Sequence, residues 1–368
     1  MTEVLSPLTI TALRDLVRHE EPIASVYLGL RPPVPTLDTA ADLDLRWHVL
    51  VARLAAGKAD EPTLGAVTAR LDTTGPTPGE LALFAAGGRL LLEQPIPGGV
   101  PFDRARYAAP AAVVPLLDWW QRHPAYVLVV TDRTGAEVVA VPRGAVHGWT
   151  SVVVGPDDEI ERNAPGGWAQ PRYQRRAEDS WRHNAAAVAA ATARALREQD
   201  AGLLLVAGDV RAVQLLRADL APLVHRGLTM RHVPGGRAPD GSTAHRTAAV
   251  AEAVATYATH QTQAMLAVLA RHAGPHGTAV YGAWASLRAL AAGQVQTLCV
   301  VDDDEDERMA WFGSRLLCGG AAATDAAPGR LVDVAVRAAL LTGADVRVVE
   351  PGTVPEGIAA LCRYHADA

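Results

Sequence analysis

The stretch from Tyr126 to Arg271 limits the possible folds more than any other part of the chain. It opens with three short Val-rich runs, Tyr126–Thr131, residues 137–142 and residues 146–154, separated by the turns Arg133-Thr134-Gly135 and Arg143-Gly144. Runs of that length and β-branched content read as strands, and connections so short force an antiparallel meander. A helix is predicted from about residue 175 to 199, a strand over 203–207, a helix over 210–220, a strand near 228–233 and a long helix over about 247–271. On the first helix Trp181, Ala185, Val188, Ala189 and Leu196 recur at helical spacing, with Thr192 the one polar residue on that face. The order β-β-β-α-β-α-β-α is that of a ribonuclease-H-like layer.

A chain of 368 residues exceeds what one core supports. Three domains are expected: an α+β domain over residues 1–122, the central domain over 123–272, and an α/β domain over 273–368. The first holds a helix over residues 8–19, a buried strand Ile23–Leu28, a helix Thr39–Ala56 and a hairpin over 81–85 and 89–92. Trp119, Trp120 and Pro124 mark its end. The last alternates strand 278–281, helix 283–292, strand Val295–Val301, helix 331–342, strand 346–349 and an apolar run over 358–361. That alternation predicts three layers around a partly parallel sheet, with residues 319–329 an Ala-rich loop. The fold class is thus multidomain, mixing α/β and α+β parts.

The formal net charge is -6, so any contact with nucleic acid must come from a local basic cluster. The best one lies between Arg172 and Arg182, and Lys58 is the single lysine in the chain. Cys299, Cys318 and Cys362 form no close pair, which argues against a disulfide framework or zinc knuckle. No basic leader precedes an apolar run, and no apolar run reaches the length of a membrane span. A cytoplasmic monomer with no membrane partner is expected. There is no Gly-x-x-x-x-Gly-Lys loop and no Gly-x-Ser-x-Gly elbow, so nucleotide hydrolysis and serine chemistry find no support, and no cofactor is called for.

Between the third strand and the first long helix lies Pro165-Gly166-Gly167-Trp168-Ala169-Gln170-Pro171-Arg172-Tyr173-Gln174-Arg175-Arg176. Adjacent glycines permit close backbone approach to a partner, and the flanking prolines stiffen the segment. Arginines, an amide and a Trp suit contact with phosphates and bases. A metal nuclease is the competing chemistry, with Asp132, Glu178 and Asp209 converging on magnesium. The plainer reading has Asp132 opening a turn, Glu178 paired with an arginine and Asp209 capping a helix. The run Asp302-Asp303-Asp304-Glu305-Asp306-Glu307 reads as a solvated acidic loop. His272 and His276 are separated by Gly274 and Pro275, which break the helix that metal ligation would need. No metal site is expected.

The Gly166-Gly167-Trp168-Ala169-Gln170 segment, with Arg172, Arg175 and Arg176 behind it, resembles the Gly-Gly-Gln loop and arginine-rich helix start of a known family. So do Tyr281-Gly282, Gly293-Gln294-Val295-Gln296-Thr297-Leu298 and Gly357-Ile358-Ala359-Ala360-Leu361-Cys362-Arg363-Tyr364, which are similar to its third-domain signature. The family is that of the bacterial relatives of archaeo-eukaryotic class-1 translation release factors, which includes actinobacterial Balon-type ribosome hibernation factors. The resemblance implies a ribonuclease-H-like middle domain, a ribosomal-protein-like C-terminal domain, and a ribosome-bound factor whose tip approaches the peptidyl-transferase centre. It implies 23S and 16S ribosomal RNA at the A site as partners, with elongation factor Tu facing the third domain.

The departures shape the expected function. Where release factors carry Gln after the two glycines, this chain has Trp168, with Gln170 displaced by two positions. Their Asn-Ile-Lys-Ser stop-codon motif is missing, since Lys58 sits in Ala-Ala-Gly-Lys-Ala-Asp. The reading is therefore A-site occupancy in hibernation or stress protection, without codon-specific release or catalysis. Gly166, Gly167, Trp168, Gln170, Arg172, Arg175 and Arg176 would contact ribosomal RNA. One alternative is a peptidyl-tRNA hydrolase for stalled ribosomes using Gln170; another is an RNA-binding adaptor that does not enter the ribosome.

Overall fold

The computed structural model describes residues 8–29, 39–73, 80–98, 103–145, 147–154, 170–237, 243–274, 276–313 and 326–364. Their contacts form two compact units, residues 122–260 and residues 1–121 together with 261–368. The first and third segments expected from the sequence thus meet in one unit.

That unit begins with α1 (Ile10–Arg18), capped by Thr9, whose hydroxyl accepts from Ala12 N at 3.1 Å. It continues through β1 (Ile23–Leu28), α2 (Thr39–Ala56), α3 (Glu61–Thr73), β2 (Leu81–Ala86), β3 (Arg89–Pro95), β4 (Arg104–Ala108) and α4 (Val114–Arg122). An antiparallel sheet of order β3-β2-β1-β4 results, with the expected hairpin as β2 and β3. Every residue of β1 is buried, because α2 and α3 cover one face of the sheet while α1 and α4 lie on the other.

The central unit contains β5 (Tyr126–Thr131), β6 (Gly135–Val141), β7 (Trp149–Val154), α5 (Gln170–Glu198), β8 (Leu203–Gly208), α6 (Val210–Val224), β9 (Thr229–His232) and most of α7 (Thr243–Arg271). The sheet order is β7-β6-β5-β8-β9. β5, β6 and β7 form the antiparallel meander, and β8 and β9 run parallel to β5, which is ribonuclease-H-like topology. Side chains alternate as pleating requires. Val127, Val129, Leu204 and Val206 face α5 and α6, while Leu128, Val130, Leu203 and Leu205 face Ala253, Val254 and Tyr257 of α7. Thr192, the lone polar residue on the apolar face of α5, is fully buried, and its hydroxyl donates to Val188 O at 2.7 Å.

The C-terminal segment adds β10 (Ala279–Tyr281), α8 (Ala283–Ala291), β11 (Val295–Val301), β12 (Met309–Phe312), β13 (Ala327–Arg330), α9 (Leu331–Leu341), β14 (Asp345–Val349) and β15 (Ile358–Cys362). The sheet order is β10-β15-β11-β14, with only the β11–β14 pair parallel. α8 and α9 pack on one face, and Leu269 near the end of α7 on the other. One core holds Leu13, Tyr27, Phe84 and Trp119 of the N-terminal segment with Leu290, Leu298 and Val336 of the C-terminal one. Gln121 joins the two segments by bonding both Val348 N (2.9 Å) and Val348 O (2.7 Å) of β14.

Two expectations are corrected. The end of the supposed Ala-rich loop, Ala327–Gly329, pairs with Ala310–Phe312 as part of a two-stranded ribbon, so backbone hydrogen bonding orders it despite its composition. The acidic run is a solvated loop only in part: Asp303, Asp304, Glu305 and Glu307 are exposed, while Asp302 and Asp306 are half-buried and paired with arginines. Asp302 meets Arg104 at 2.7 Å, Asp304 meets Arg104 at 3.1 Å, and Asp306 meets Arg308 at 2.7 Å. β4 turns Arg104 and Arg106 towards this run, so the charges of Asp302, Asp304 and Asp306 are met by arginines inside the unit, and Arg330 donates to the carbonyls of Asp303 and Asp306.

Candidate nucleic-acid interface

The candidate surface lies where the central strands β5 and β8 end. Gly208 closes β8 with φ +118°, and a Cβ there would lie 1.8 Å from Thr131 O, so only glycine allows the two strands to finish side by side. The next residue, Asp209, caps α6 by accepting from the amides of Arg211 (2.9 Å) and Ala212 (3.1 Å). Asp132 opens the β5–β6 turn, accepting from Thr134 N and Oγ1 at 2.8 and 2.7 Å. It also takes both its oxygens to Arg237 Nη1, at 3.0 and 3.1 Å, which ties the segment after β9 to this turn. Burial pushes the Asp132 carboxyl up, but Thr134 and the Arg237 guanidinium outweigh it and hold the group below the usual carboxylate range.

Of the three carboxylates in the nuclease alternative, Asp132 and Asp209 are therefore engaged in the turn and cap roles. The side chain of Glu178 lies outside the described residues. Among the described residues no group of three or more His, Cys, Asp or Glu is placed to hold a metal. His272 Nδ1 lies 3.1 Å from the hydroxyl of Thr278, beyond the end of α7.

The glycine segment is bracketed by two described anchors. β7 leads into it, ending at Val154 opposite Gly135, and α5 leads out of it from Gln170. Gly166, Gly167 and Trp168 lie outside the described residues, as do the side chains of Gln170, Arg172, Arg175 and Arg176. The helix starts at Gln170, five residues before the position the sequence suggested. Pro171 falls in its first turn, where a missing N–H costs nothing because that donor has no helical acceptor. Positions 172, 175 and 176 thus stand on helical backbone at i, i+3 and i+4.

Sequence reasoning did not single out a cluster just beyond these positions. Trp181 of α5 is half-buried, and the guanidiniums of Arg133 and Arg211 lie 5.9 and 5.2 Å from its ring centroid. Asn184, one turn on, is buried and donates to Arg133 O at 3.0 Å, fixing the turn that carries Arg133. The signal was divided among three distant stretches of chain, and only the strand ends bring them together.

Residues 125–275 match the family described as bacterial archaeo-eukaryotic release factor family 2. Two uncharacterized proteins of Mycobacterium tuberculosis, Rv2629 of strain H37Rv and MT2704 of strain CDC 1551, are each 28% identical over 222 residues. The alignment covers 60% of this chain and 57% of those proteins, so the chain spans little more than half their length. Among solved structures, Saccharomyces cerevisiae Dom34, a translation termination-like factor, is 11% identical with a TM-score of 0.41, covering 77% of this chain and 75% of that one. A ribosome-bound archaeal Pelota model gives 13%, a TM-score of 0.40, and 97% and 94% coverage. The archaeal termination factor aRF1 gives 16%, a TM-score of 0.24, and 96% of each chain. Likenesses at this level carry no residue role across. What the family comparison shows is a similarity confined to the ribonuclease-H-like centre: residues 125–275 are similar to bacterial archaeo-eukaryotic release factor family 2.

Proposed function

We propose that this protein is a ribosome-binding translation factor that occupies the vacant A site without reading a stop codon, as in ribosome hibernation. The observation that carries this reading is the family match of residues 125–275, a span that contains the Gly166-Gly167-Trp168-Ala169-Gln170 segment. Arg172, Arg175 and Arg176 neutralise ribosomal RNA phosphates, and Trp168 stacks on a base near the peptidyl-transferase centre. Trp168 in place of the family glutamine, and Lys58 outside any Asn-Ile-Lys-Ser motif, favour occupancy over release. The N-terminal segment is assigned to the decoding side of 16S ribosomal RNA, and the C-terminal segment to the side of elongation factor Tu.

Sedimentation with vacant ribosomes over a salt series tests this. The wild type should co-migrate at low salt, and Arg172→Gln, Arg175→Gln and Arg176→Gln together should flatten the salt dependence, because each neutralised phosphate releases counterions. Unchanged affinity in the triple variant removes the arginines from the interface, and no co-migration at any salt removes the ribosome. Gln170 favours one second reading, peptidyl-tRNA hydrolysis on stalled ribosomes. Release of peptide from a loaded ribosome with an empty A site, abolished by Gln170→Ala, would put that reading first.

A further inference from the structure

We propose that a cleft at the carboxyl ends of the parallel strands β11 and β14 receives a basic side chain, arginine or lysine, presented by a partner protein. The proposal goes beyond the ribosomal reading and does not depend on it. The cleft measures about 310 Å³, and every residue that lines it belongs to the C-terminal segment. Val301 ends β11, Gly352 follows β14, Leu331 opens α9 and Ile358 starts β15. Open α/β sheets take their ligands in this position, beyond the strand ends where the crossover helix begins.

The floor is apolar and the rim is acidic. Val301, Leu331, Val332 and Ile358 are buried, while Asp303 and Glu356 stand exposed at the edge. The charges do not cancel. Arg308 spends its guanidinium on Asp306, with Nε and Nη2 at 2.8 and 2.7 Å from the two carboxylate oxygens, and on the Glu356 carbonyl at 2.7 Å. Its Nη1 stays 3.9 Å from Glu356 Oε2. Asp303 uses one oxygen on the amide of Glu305 at 3.0 Å, and Glu356 uses one on the amide of Ala283 at 2.9 Å. The second oxygen of each carboxylate accepts no hydrogen bond among the described residues.

Three lining carboxylates against one lining guanidinium leave the cleft negative, and the exposed Glu305, Glu307 and Glu350 flank it. The amide of Leu331, at the positive end of α9, is already bonded to Arg308 O at 2.7 Å. A basic side chain answers both halves of such a cleft. Its aliphatic stem covers the apolar floor while its cationic head stays at the wet edge, against the free carboxylate oxygens. An anion would be repelled there, and an uncharged apolar group would leave the rim unpaired. A carboxylate that served the fold alone would be met from within, as Asp306 is by Arg308.

The test is a chemical-shift titration of the isotope-labelled full chain with the peptide acetyl-Ala-Ala-Arg-Ala-Ala-amide, its lysine counterpart, and a third peptide carrying citrulline, the uncharged isostere of arginine. The two basic peptides should shift the amides of Asp303, Gly352 and Gly357, and the citrulline peptide should bind about fivefold more weakly. Asp303→Asn with Glu356→Gln should weaken the arginine peptide by roughly 5- to 25-fold, since each exposed charge pair is worth up to about fivefold. Both replacements keep a side-chain oxygen to accept the amide of Glu305 or Ala283, and thermal melting verifies that the variant folds. The citrulline comparison uses the wild-type chain and so stands whether or not the variant folds. No shift at these amides, equal binding of the citrulline peptide, or unchanged affinity in the folded double variant would each overturn the proposal. So would spermidine binding these amides more tightly than the arginine peptide does, since that assigns the cleft to a free polyamine.

Discussion

Replacing Asp333 with Asn should change how the stability of the protein depends on pH. Asp333 stands in the first turn of α9 and is 1% exposed, and neither carboxyl oxygen accepts a hydrogen bond among the described residues. Arg330 Nη1, at 3.8 Å, is too distant to offset the burial fully. Burial, reinforced by the charges of Asp302 and Asp304 and opposed by Arg330 and Arg106, pushes its pKa from the ordinary 3.8 to about 7. The folded state thus holds a proton between those values that the unfolded chain releases. Stability from this group is fully present below about pH 4 and is lost as pH rises to about 7. At about 1.4 kcal/mol per pH unit, the total is about 4 kcal/mol, of which about 3 kcal/mol falls between pH 5 and pH 8. Urea unfolding of wild type and Asp333→Asn at intervals from pH 5 to 8 measures it. The wild-type curve should fall relative to the variant by about 3 kcal/mol across that range. Parallel curves would refute the reasoning, showing either that Asp333 is ionised throughout the range or that its charge is compensated.

Other substitutions test the scaffold. Gly208→Ala places a Cβ against Thr131 O at a positive φ, and it should destabilise the central unit by about 3 kcal/mol or more, read as loss of protection in amide exchange along β5 and β8. Trp119→Ala removes a fully buried indole whose Nε1 donates to Pro97 O at 3.1 Å, and denaturant unfolding should show a loss of about 3 to 5 kcal/mol. Asp209→Ala deletes the α6 cap at a cost of about 1 kcal/mol in thermal unfolding, while leaving any magnesium response unchanged.

The elements legible in the sequence are those whose burial is written in uninterrupted or periodic apolar residues. Ile23–Leu28 and Tyr126–Thr131 are strands at the predicted positions because sheet and helices cover both of their faces. The helix Thr39–Ala56 was legible from length and composition. The strand Arg104–Ala108 was not, because alternating arginines look solvated until Asp302 and Asp304, some two hundred positions away, are brought opposite them. The helix Glu61–Thr73 did carry a signal: Asp60 accepts from both Thr63 N (2.8 Å) and Thr63 Oγ1 (2.7 Å), with Pro62 in the first turn. At the candidate interface, the turn role of Asp132 and the capping role of Asp209 were readable from local rules. The grouping of Arg133, Trp181 and Arg211 was not, since it depends on parallel strands ending at one level.

The core that joins Leu13, Tyr27 and Trp119 to Leu298 and Val336 sets an order of events during synthesis. A chain emerging from its amino end presents the N-terminal helices and sheet long before the strands that complete their packing exist. The middle stretch, whose partners are all near one another in sequence, can finish first. Until the closing strands are made, the early apolar surface stays uncovered, and a nascent chain halted after α7 should recruit chaperones that the finished protein does not.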